Sequence, residues 1–329
     1  MKTRIYSPTP TNLRRLSAAL QRGELVAIPT ETVYGLAAPA LNDRACRAIF
    51  KAKGRPAHDP LIVHVLDLAH ADELAEFNET ARRVARKFWP GPLTLVLPKK
   101  ECVPDIVTSN RNTVAIRSPS HPLARRLLQL SGVPLAAPSA NLFGYISPTT
   151  AAHVLDGLRG RIAHVLDGGA CRVGVESTIL DLTVPQHPKI LRPGAITVTE
   201  LEKYLGVKVA IGAPGRTAAS SKLGMRAPGL LARHYSPRTP LVIKTAWQDQ
   251  PPDVGGIFLR RPTGISPRQV YWLSERGSLQ EVARNLYQIL RQADRADHRQ
   301  LWIESLPESS GGLATAINDR LRRAANRQG

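Results

Sequence analysis

Cysteine is scarce in this chain, and its spacing excludes two kinds of scaffold. Only Cys46, Cys102 and Cys171 occur among the 329 residues. An odd number of widely separated cysteines argues against a disulfide framework, and no CxxC pair supplies the spacing of a zinc site. We therefore expect a cytoplasmic protein in a reducing compartment.

Long hydrophobic runs are absent as well. The longest apolar stretches, such as residues 93–97, have the length of a strand, whereas a membrane-spanning helix needs about 18 consecutive apolar residues. With 43% hydrophobic and 22% charged residues, the composition is typical of a globular protein, and we expect no membrane contact.

The common motifs of catalysis and nucleotide binding are also missing. The sequence contains no GxxxxGK[ST] phosphate loop, no GxGxxG after a strand, no HExxH and no GxSxG. These patterns would indicate a P-loop, a dinucleotide-binding unit, a metalloprotease or a serine hydrolase. If the protein handles ATP, it does so by another arrangement.

Positive charge, in contrast, is abundant. Lys and Arg number 45 against 26 Asp and Glu, which gives a net charge of +19. Such a surface attracts polyanions, so nucleotides and tRNA are both candidate partners. Many basic proteins bind nucleic acid without specificity, however, so charge alone identifies no partner.

The first 23 residues contain five basic residues and no acidic one, a bias that is typical of organelle-targeting segments. Leu13, Leu16 and Leu20 nevertheless have helical spacing, with Thr11 or Asn12 as the expected cap and Gly23 as the end. Because this helix would lead into a strand at 25–28, we expect it to belong to the mature fold.

The chain divides into two α/β units joined by a linker. Residues 1–210 alternate between helical and strand-like patterns, and strands 178–182 and 189–191 are too close for a helical crossover, so we expect a twisted mixed sheet with flanking helices. Glycine and proline concentrate at 211–239, which predicts a linker. Residues 240–329 predict a smaller α/β domain.

The segment PTETVYG at 29–35 follows the first predicted strand. Two hydroxyls and a carboxylate lie close together there, between Pro29 and Gly35. A polar turn between a strand and the next element would give the same pattern, and the segment alone favours that interpretation.

Three cations, Lys51, Lys53 and Arg55, end a predicted helix, where they would complement its negative pole. A guanidinium on such a turn can also bind phosphate oxygens in bidentate fashion. His64 lies within the predicted strand 61–65, between Val63 and Val65, and Arg117 ends the predicted strand 113–117. Singly, such residues are more often structural than functional.

Five further segments carry polar residues in unusual positions. They are PSAN at 138–141 with SPTT at 147–150, GVESTI at 174–179, LRPG at 191–194 and RHYSP at 233–237. The SPTT segment is typical of a helix N-terminus, where exposed N–H groups also suit anions. RHYSP places an aromatic residue pair in the predicted linker, as if to cover another surface.

Taken together and in order, these segments resemble the threonylcarbamoyl-AMP synthase family in its long, two-domain form. The resemblance is carried by PTETVYGLA, KAKGRPAHDPLIVHV, WPGPLTLVL, TVAIRSP, PLAAPSAN, GVESTILDL, LRPGAI and RHYSP, which span about residues 25–237, and by GGLATAINDRLRRAA near the C-terminus. It implies an α/β domain with a large basic cavity, a linker reaching over the active site, and a smaller Rossmann-like domain.

The resemblance also implies site residues, by motif position. The L-threonine substrate would meet Thr32, His64, Arg117, Ala137 and Ser177. The nucleotide ATP would meet Lys53, Arg55, Asp59, Thr113, Ser139, Ser147, Arg192 and Tyr235. Mg²⁺ is the implied cofactor, without assigned protein ligands.

Two positions depart from the family pattern. Asp59 stands where the family usually has Asn, and a carboxylate there would repel phosphate unless it binds Mg²⁺ or the ribose. Phe143 replaces a residue with a hydroxyl group, so we assign that position no role.

The implied reaction joins L-threonine, bicarbonate or CO₂, and ATP into L-threonylcarbamoyladenylate with release of pyrophosphate. Such a nucleotidyl transfer depends on positioning and charge neutralisation rather than on a covalent nucleophile. The product would supply a downstream complex that modifies tRNA, tRNA itself being a possible contact, and we expect a monomer.

Two other functions fit parts of the sequence. A carbamoyltransferase of the hydrogenase-maturation type carries a related domain, but it also carries zinc-binding modules that need CxxC pairs. A non-enzymatic RNA-binding protein would explain the positive charge, yet not the clustered polar motifs, and aromatic residues make up only 5% of the chain.

Overall fold

The computed structural model describes residues 1–212, 225, 227–229, 234–245, 250–263, 269–307 and 310–326. Arg233 and much of the predicted linker lie outside them. None of the helices in the described ranges is long and apolar enough to cross a membrane.

Within these ranges the first unit is a large sheet of eleven strands with helices packed around it. The strands are β1 (Arg4–Tyr6), β2 (Val26–Ile28), β3 (Gly35–Pro39), β4 (Ile62–His64), β5 (Leu93–Pro98), β6 (Thr113–Arg117), β7 (Leu135–Ala136), β8 (His164–Leu166), β9 (Thr178–Asp181), β10 (Lys189–Arg192) and β11 (Ala210–Ile211). The helices are α1 (Pro10–Gln21), α2 (Asp43–Lys53), α3 (Leu68–Asp72), α4 (Glu79–Phe88), α5 (Asp105–Thr108), α6 (Pro122–Ser131), α7 (Ala151–Leu158) and α8 (Val198–Leu205).

The expected mixed sheet is confirmed. The strand order is β1-β8-β2-β3-β7-β4-β6-β5-β9-β10-β11. β4 and β6 are parallel, whereas β5 pairs with β6 and β9 pairs with β10 in antiparallel fashion. Short connections such as the one between β9 and β10 permit only the antiparallel arrangement, as the sequence spacing indicated.

Among its described residues, the second unit contains a four-stranded parallel sheet and two helices. Its strands are β12 (Leu241–Lys244), β13 (Val254–Arg260), β14 (Val270–Ser274) and β15 (Gln300–Glu304), in the order β12-β15-β13-β14, and its helices are α9 (Leu279–Asp294) and α10 (Gly312–Ala325). This confirms a smaller second α/β domain. The boundaries at 210 and 240 and the Rossmann-like description stay predictions.

Local sequence explains where α1 begins, and it corrects one expectation. The cap is Thr9, whose side chain accepts a hydrogen bond from the Asn12 N–H, and not Thr11 or Asn12. Pro10 occupies the first helical position, where its missing N–H costs nothing because that group has no helical partner. Leu13, Leu16 and Leu20 are buried, as their spacing predicted.

The cores of the two units meet. Val33, Ile146 and Val175 of the first unit belong to the same buried cluster as Tyr235 and the apolar faces of α9 and α10. Ala227, from the segment between the units, is buried against side chains of the large sheet, including Ile62 and Leu191. The second unit is therefore packed onto the first through apolar contacts.

One glycine controls how closely α9 approaches the large sheet. A Cβ atom on Gly174 would lie 2.3 Å from the Cα of Arg284 and 2.4 Å from the carbonyl oxygen of Ala283. Gly174 also has a φ of +83°, a conformation that L side chains rarely adopt. Only glycine therefore fits between this loop and the helix.

We expect Gly174→Ala to destabilise the protein by at least the ~1–3 kcal/mol typical of overpacking, because both colliding groups are backbone. Thermal unfolding measures the effect as a lower melting temperature. The matched control is Gly157→Ala in α7, where the nearest atom to a new Cβ is 3.5 Å away and no loss of stability is expected. Equal melting temperatures for the Gly174 variant and the wild type would refute the close approach.

Candidate active site

Most of the motif residues meet in one buried cavity of about 50 Å³, next to the carboxyl ends of central strands of the large sheet. β4 and β6 are parallel and place His64 directly opposite Arg117 at their carboxyl ends. Residues after β2 and β7 and before β9 complete the walls. The predicted site residues that line the cavity are Thr32, Arg55, His64, Arg117, Ala137, Ser139, Ser177, Arg192 and Tyr235.

Arg117 is held from three sides. Its Nη2 lies 2.7 Å from Glu31 Oε1, its Nη1 donates to Thr32 Oγ1 at 3.0 Å, and its Nε donates to the Gly91 carbonyl oxygen at 3.2 Å. Both side chains of the ion pair are at most 4% exposed. A guanidinium has five N–H donors, so two of them remain for a ligand.

Glu31 stays ionised in this position. Burial would raise its pKa, but the Arg117 charge and hydrogen bond lower the pKa to about 2. The Ser120 N–H also donates to Glu31 Oε1 at 3.1 Å. Glu31 does not line the cavity; its contacts are with the arginine that does.

A chain of hydroxyl groups fixes the orientation of Thr32. Thr30 Oγ1 donates to the Val33 carbonyl oxygen at 2.6 Å and lies 2.9 Å from Thr32 Oγ1. Because the Thr30 proton is already used, the Thr32 hydroxyl donates to Thr30 and accepts from Arg117. The TET segment is therefore a hydrogen-bonded turn, and it also supports a cavity wall.

His64 is neutral at neutral pH. Burial, and then the nearby charge of Arg117, lower its pKa to about 3. Its Nδ1 lies 3.2 Å from the Ile62 carbonyl oxygen, which fixes the ring plane. The side chain is 3% exposed, so it offers the cavity a polar, uncharged wall.

Two more arginines, Arg55 and Arg192, form another wall of the cavity. Arg55 donates to the carbonyl oxygens of Asp59 and Pro60 at 2.9 and 2.7 Å, and its Nη2 lies 2.9 Å from Asp59 Oδ1. Arg192 donates to the carbonyl oxygen of Ser177 at 3.1 Å and to its Oγ at 3.0 Å. Burial lowers the pKa of both guanidiniums without neutralising them.

The departure at Asp59 is explained by its contacts. Its carboxylate is fully buried beside Arg55, and burial raises its pKa. It lies behind Arg55 and does not line the cavity. In this structure the residue acts on the orientation of an arginine rather than facing a substrate.

Three other predicted residues also lie outside the cavity lining. Lys53 Nζ donates to the carbonyl oxygens of Ser139 and Asn141, both at 2.6 Å, so it supports the PSAN loop from behind. Ser147 donates to Glu176 Oε1 at 2.6 Å. Thr113 begins β6, opposite Pro98 and at the far end of the strand from Arg117.

The aromatic pair of the linker, His234 and Tyr235, lines the cavity. Tyr235 is 1% exposed, adopts a φ of +63° and stacks on Tyr287 with ring centroids 5.7 Å apart. Burial raises the Tyr235 pKa to about 12 and lowers that of the adjacent His234. Pro228 and Gly229 also line the cavity, so the linker covers it.

The cavity is closed in this form. Its volume of about 50 Å³ lies far below the ~300–1,000 Å³ of ligand pockets. A larger hollow of about 600 Å³ lies near Glu24, Lys51 and Arg161, but none of the predicted site residues lines it. The convergent polar groups mark the smaller cavity as the candidate site.

Sequence reasoning missed several contributors. Thr30, Glu31, Glu176 and His234 all lie inside motifs recognised in the sequence, but none of them was assigned a role. Arg320 of α10 reaches Glu176 from the second unit; no local pattern signals this contact, because the two residues are 144 positions apart.

Comparisons with known proteins identify the two units. A family model described as "Telomere recombination" matches residues 18–194, and one described as "Threonylcarbamoyl-AMP synthase, C-terminal domain" matches residues 196–326. The chain is 40% identical over 327 residues to a threonylcarbamoyl-AMP synthase of Pyrococcus abyssi, covering 95% of this chain and 94% of that protein.

A second relative and a solved structure agree. The threonylcarbamoyl-AMP synthase of Bacillus subtilis is 40% identical over 337 residues, covering 97% of this chain and 94% of that protein. The crystal structure of P. abyssi Sua5 complexed with L-threonine is 38% identical, covers 98% of each chain and superposes with a TM-score of 0.87.

We expect the Glu31–Arg117 ion pair to stabilise the fold in a pH-dependent way. Because folding lowers the Glu31 pKa from 4.5 to about 2, the contribution is fully present above pH ~4.5 and is lost as the pH falls toward 2. The free energy of unfolding of Glu31→Gln should therefore lie below that of the wild type at pH 6 and approach it in acid.

Denaturant unfolding at pH 6, 4 and 3 measures this difference. The control is Glu79→Gln, since the Glu79 side chain is 71% exposed and its ion pair with Arg86 lies on the surface. A gap between Glu31→Gln and the wild type that stays constant from pH 6 to 3 would contradict a depressed Glu31 pKa.

Proposed function

This chain belongs to the threonylcarbamoyl-AMP synthase family, and we propose that it makes L-threonylcarbamoyladenylate from L-threonine, bicarbonate or CO₂, and ATP in the cavity beneath Tyr235. The observation that carries the proposal is the joining of two walls in one cavity. One wall is the Arg117, Thr32 and His64 cluster, and the other carries Arg55 and Arg192.

Arg117 is the proposed receptor for the threonine carboxylate. Its guanidinium retains two N–H donors after its three protein contacts, enough for a charge-assisted bond to a carboxylate. Glu31 fixes its orientation, so binding would require little rearrangement. The neutral His64 ring and the Thr32 hydroxyl would border the rest of the amino acid.

The reaction proceeds in two bond-forming steps. The neutral amine of threonine attacks CO₂ and loses a proton, which gives a carbamate. A carbamate oxygen then attacks the α-phosphorus of ATP, the bond to the β-phosphate bridging oxygen breaks, and pyrophosphate leaves. Neither step needs a covalent enzyme intermediate; both depend on holding anions together without water.

Arg55 and Arg192 would stabilise the negative charge that moves onto pyrophosphate. Both side chains are buried, with at most 7% of their surface exposed. Their charges therefore act at low dielectric, where electrostatic stabilisation is strong. Lys53 would act indirectly, by holding the Ser139 loop. Thr113 stays a predicted nucleotide contact, and its position in the family motif is the only support for that role.

Magnesium would enter with the nucleotide. No cluster of three His, Cys, Asp or Glu side chains suitable for a metal occurs in the described part of the chain, and Glu176 is the one acidic residue among those lining the cavity. Mg²⁺ commonly binds substrate phosphates with one or two carboxylates and several waters. The ion would neutralise phosphate charge, and the residues present fit a metal carried by ATP rather than a resident site.

The linker has to move for this reaction. A cavity of about 50 Å³ is too small for ATP while Tyr235 and Gly229 line it in this position. Tyr235 is therefore proposed as a lid residue that withdraws for substrate entry and returns to exclude water from the labile product. Transfer of the threonylcarbamoyl group to tRNA would fall to a separate enzyme.

The central test follows pyrophosphate release from ATP with threonine and bicarbonate each omitted in turn. We expect release only when both are present, with the adenylate identified by mass. Release that ignores both omissions would sink the proposal. Release that needs bicarbonate but no threonine would assign the site to another amine.

Arg117→Lys tests the threonine wall. Lysine keeps the positive charge that Glu31 requires but lacks the two parallel N–H donors of the guanidinium. Each charge-assisted hydrogen bond lost contributes about 1.5–3 kcal/mol. We therefore expect the KM for threonine to rise roughly 10- to 100-fold, with a smaller change in the KM for ATP.

The control for this variant is Arg126→Lys on α6, where the side chain is exposed and bonds Gln129. Its kinetic constants should equal those of the wild type. If Arg117→Lys raised the KM for ATP more than that for threonine, Arg117 would have to be reassigned to the nucleotide.

A further inference from the structure

Two buried polar side chains of the second unit reach the wall of the cavity. Arg320 of α10 is 1% exposed and Tyr287 of α9 is fully buried. Both contact Glu176, which lines the cavity and precedes Ser177. Buried charged and hydroxyl groups at a domain boundary are costly unless they are paired, so these contacts decide how the domains fit.

The carboxylate of Glu176 accepts hydrogen bonds from three protein side chains. Ser147 Oγ donates to Oε1 at 2.6 Å, while Tyr287 OH and Arg320 Nε donate to Oε2 at 2.8 and 2.9 Å. Arg320 Nη1 also donates to the Pro193 carbonyl oxygen at 2.8 Å. One arginine of the second unit thus holds two adjacent loops of the first.

Glu176 is charged in this setting. Burial would raise its pKa, but the charge of Arg320, and then that of Arg192, lowers it below the usual value. A second unit that supplied no cation here would leave an anion in the wall of a site for a triphosphate.

The other cavity charges are already paired, with one exception. Arg117 pairs with Glu31, and Arg55 pairs with Asp59. Arg192 instead bonds to the carbonyl and hydroxyl oxygens of Ser177. Among the described residues that line the cavity, it is the arginine whose charge is not held in an ion pair by a carboxylate.

Arg192 and Arg320 both lie beside Glu176. Arg320 Nε donates to its carboxylate, while Arg192 donates to the carbonyl and hydroxyl oxygens of the adjacent Ser177 and lines the same cavity as Glu176. If Arg320 lost its charge, Arg192 would be left to pair with Glu176. The cavity would then have no arginine whose charge is free of a protein carboxylate.

We propose that Arg320 is a positioning residue by which the second domain completes the nucleotide site: it neutralises Glu176 and so reserves Arg192 for the phosphates. The inference rests on the proposed use of ATP. It assigns the second domain an electrostatic part in the reaction, although Arg320 itself does not line the cavity.

The same two residues contact the lid. The Tyr287 ring stacks on Tyr235 at an interplanar angle of 27°, and the Arg320 guanidinium lies 5.4 Å from the Tyr235 ring centroid. Neutralisation of Glu176 and closure of the linker therefore depend on one pair of side chains. The second domain thereby links the charge of the site to its closed form.

The test is a double-mutant cycle on the pair, read as the KM for ATP. Arg320→Gln leaves Glu176 without its partner, and we expect the KM for ATP to rise at least tenfold with the KM for threonine nearly unchanged. Glu176→Gln keeps the shape but removes the anion, so it should lower the KM for ATP. The KM for ATP of the double variant should be lower than that of Arg320→Gln.

Opposite changes in the KM for ATP, a rise for Arg320→Gln and a fall for Glu176→Gln, distinguish this role from a structural one. A salt bridge that merely holds the domains together would give both variants the same kind of defect. If both single changes raised the KM for ATP by similar factors, or if Arg320→Gln left it unchanged, the proposal would be overturned.

Arg291→Gln is the matched control. Arg291 is a buried arginine of α9 that also crosses the domain boundary, donating to the Ile146 carbonyl oxygen, but it does not contact Glu176. We expect it to lower the melting temperature without a comparable rise in the KM for ATP. A tenfold rise there would mean that any loosening of the boundary produces the effect.

Two variants, one of them new, keep the test decisive if Arg320→Gln does not fold. Arg320→Lys retains the charge and should keep the KM for ATP within about threefold of wild type; a tenfold rise would refute an electrostatic role. Glu176→Gln alone still tests the predicted sign. Wild-type protein that releases pyrophosphate only with threonine and bicarbonate establishes the proposed function independently of these outcomes.

Discussion

Compensation of buried positive charge is the constraint on which the whole site depends. Arg55, Arg117, Arg192 and Arg320 are all at most 7% exposed, and each meets a carboxylate or carbonyl oxygen of the protein. An uncompensated guanidinium at such depth would be prohibitively costly. The loops after the strands therefore take the conformations that bring Glu31, Asp59 and the backbone of Ser177 to these arginines.

This compensation also fixes the donors of the cavity in place for the anionic substrates proposed for it. Each arginine is fixed by protein contacts before a ligand binds, so binding does not have to order a long flexible side chain. His64 remains neutral beside Arg117, because burial and that charge lower its pKa to about 3. The cavity thus presents oriented donors in a buried space, the arrangement that stabilises charge developing on phosphate or carboxylate oxygens.

The linker and the second domain give the site a closed form. Tyr235 lies between the cavity and Tyr287, while Gly174 lets α9 approach the loop that leads to Glu176. These contacts are apolar and aromatic as well as ionic, and they belong to one buried cluster that spans both units. Closure is consequently a property of the whole chain and not of the linker alone.

The sequence by itself determined the α/β class, the two units, the order of the motifs and most of the residues around the cavity. The fold class and the two units follow from local periodicity, whereas the residues around the cavity follow from the resemblance of contiguous segments to a known family. It did not determine that Glu31 holds Arg117, that Asp59 faces Arg55 and not the cavity, or that Arg320 reaches Glu176. Those facts are decided by tertiary structure, because the pairing of buried charges depends on which loops the strand order brings together, and residues 144 positions apart share no local signal.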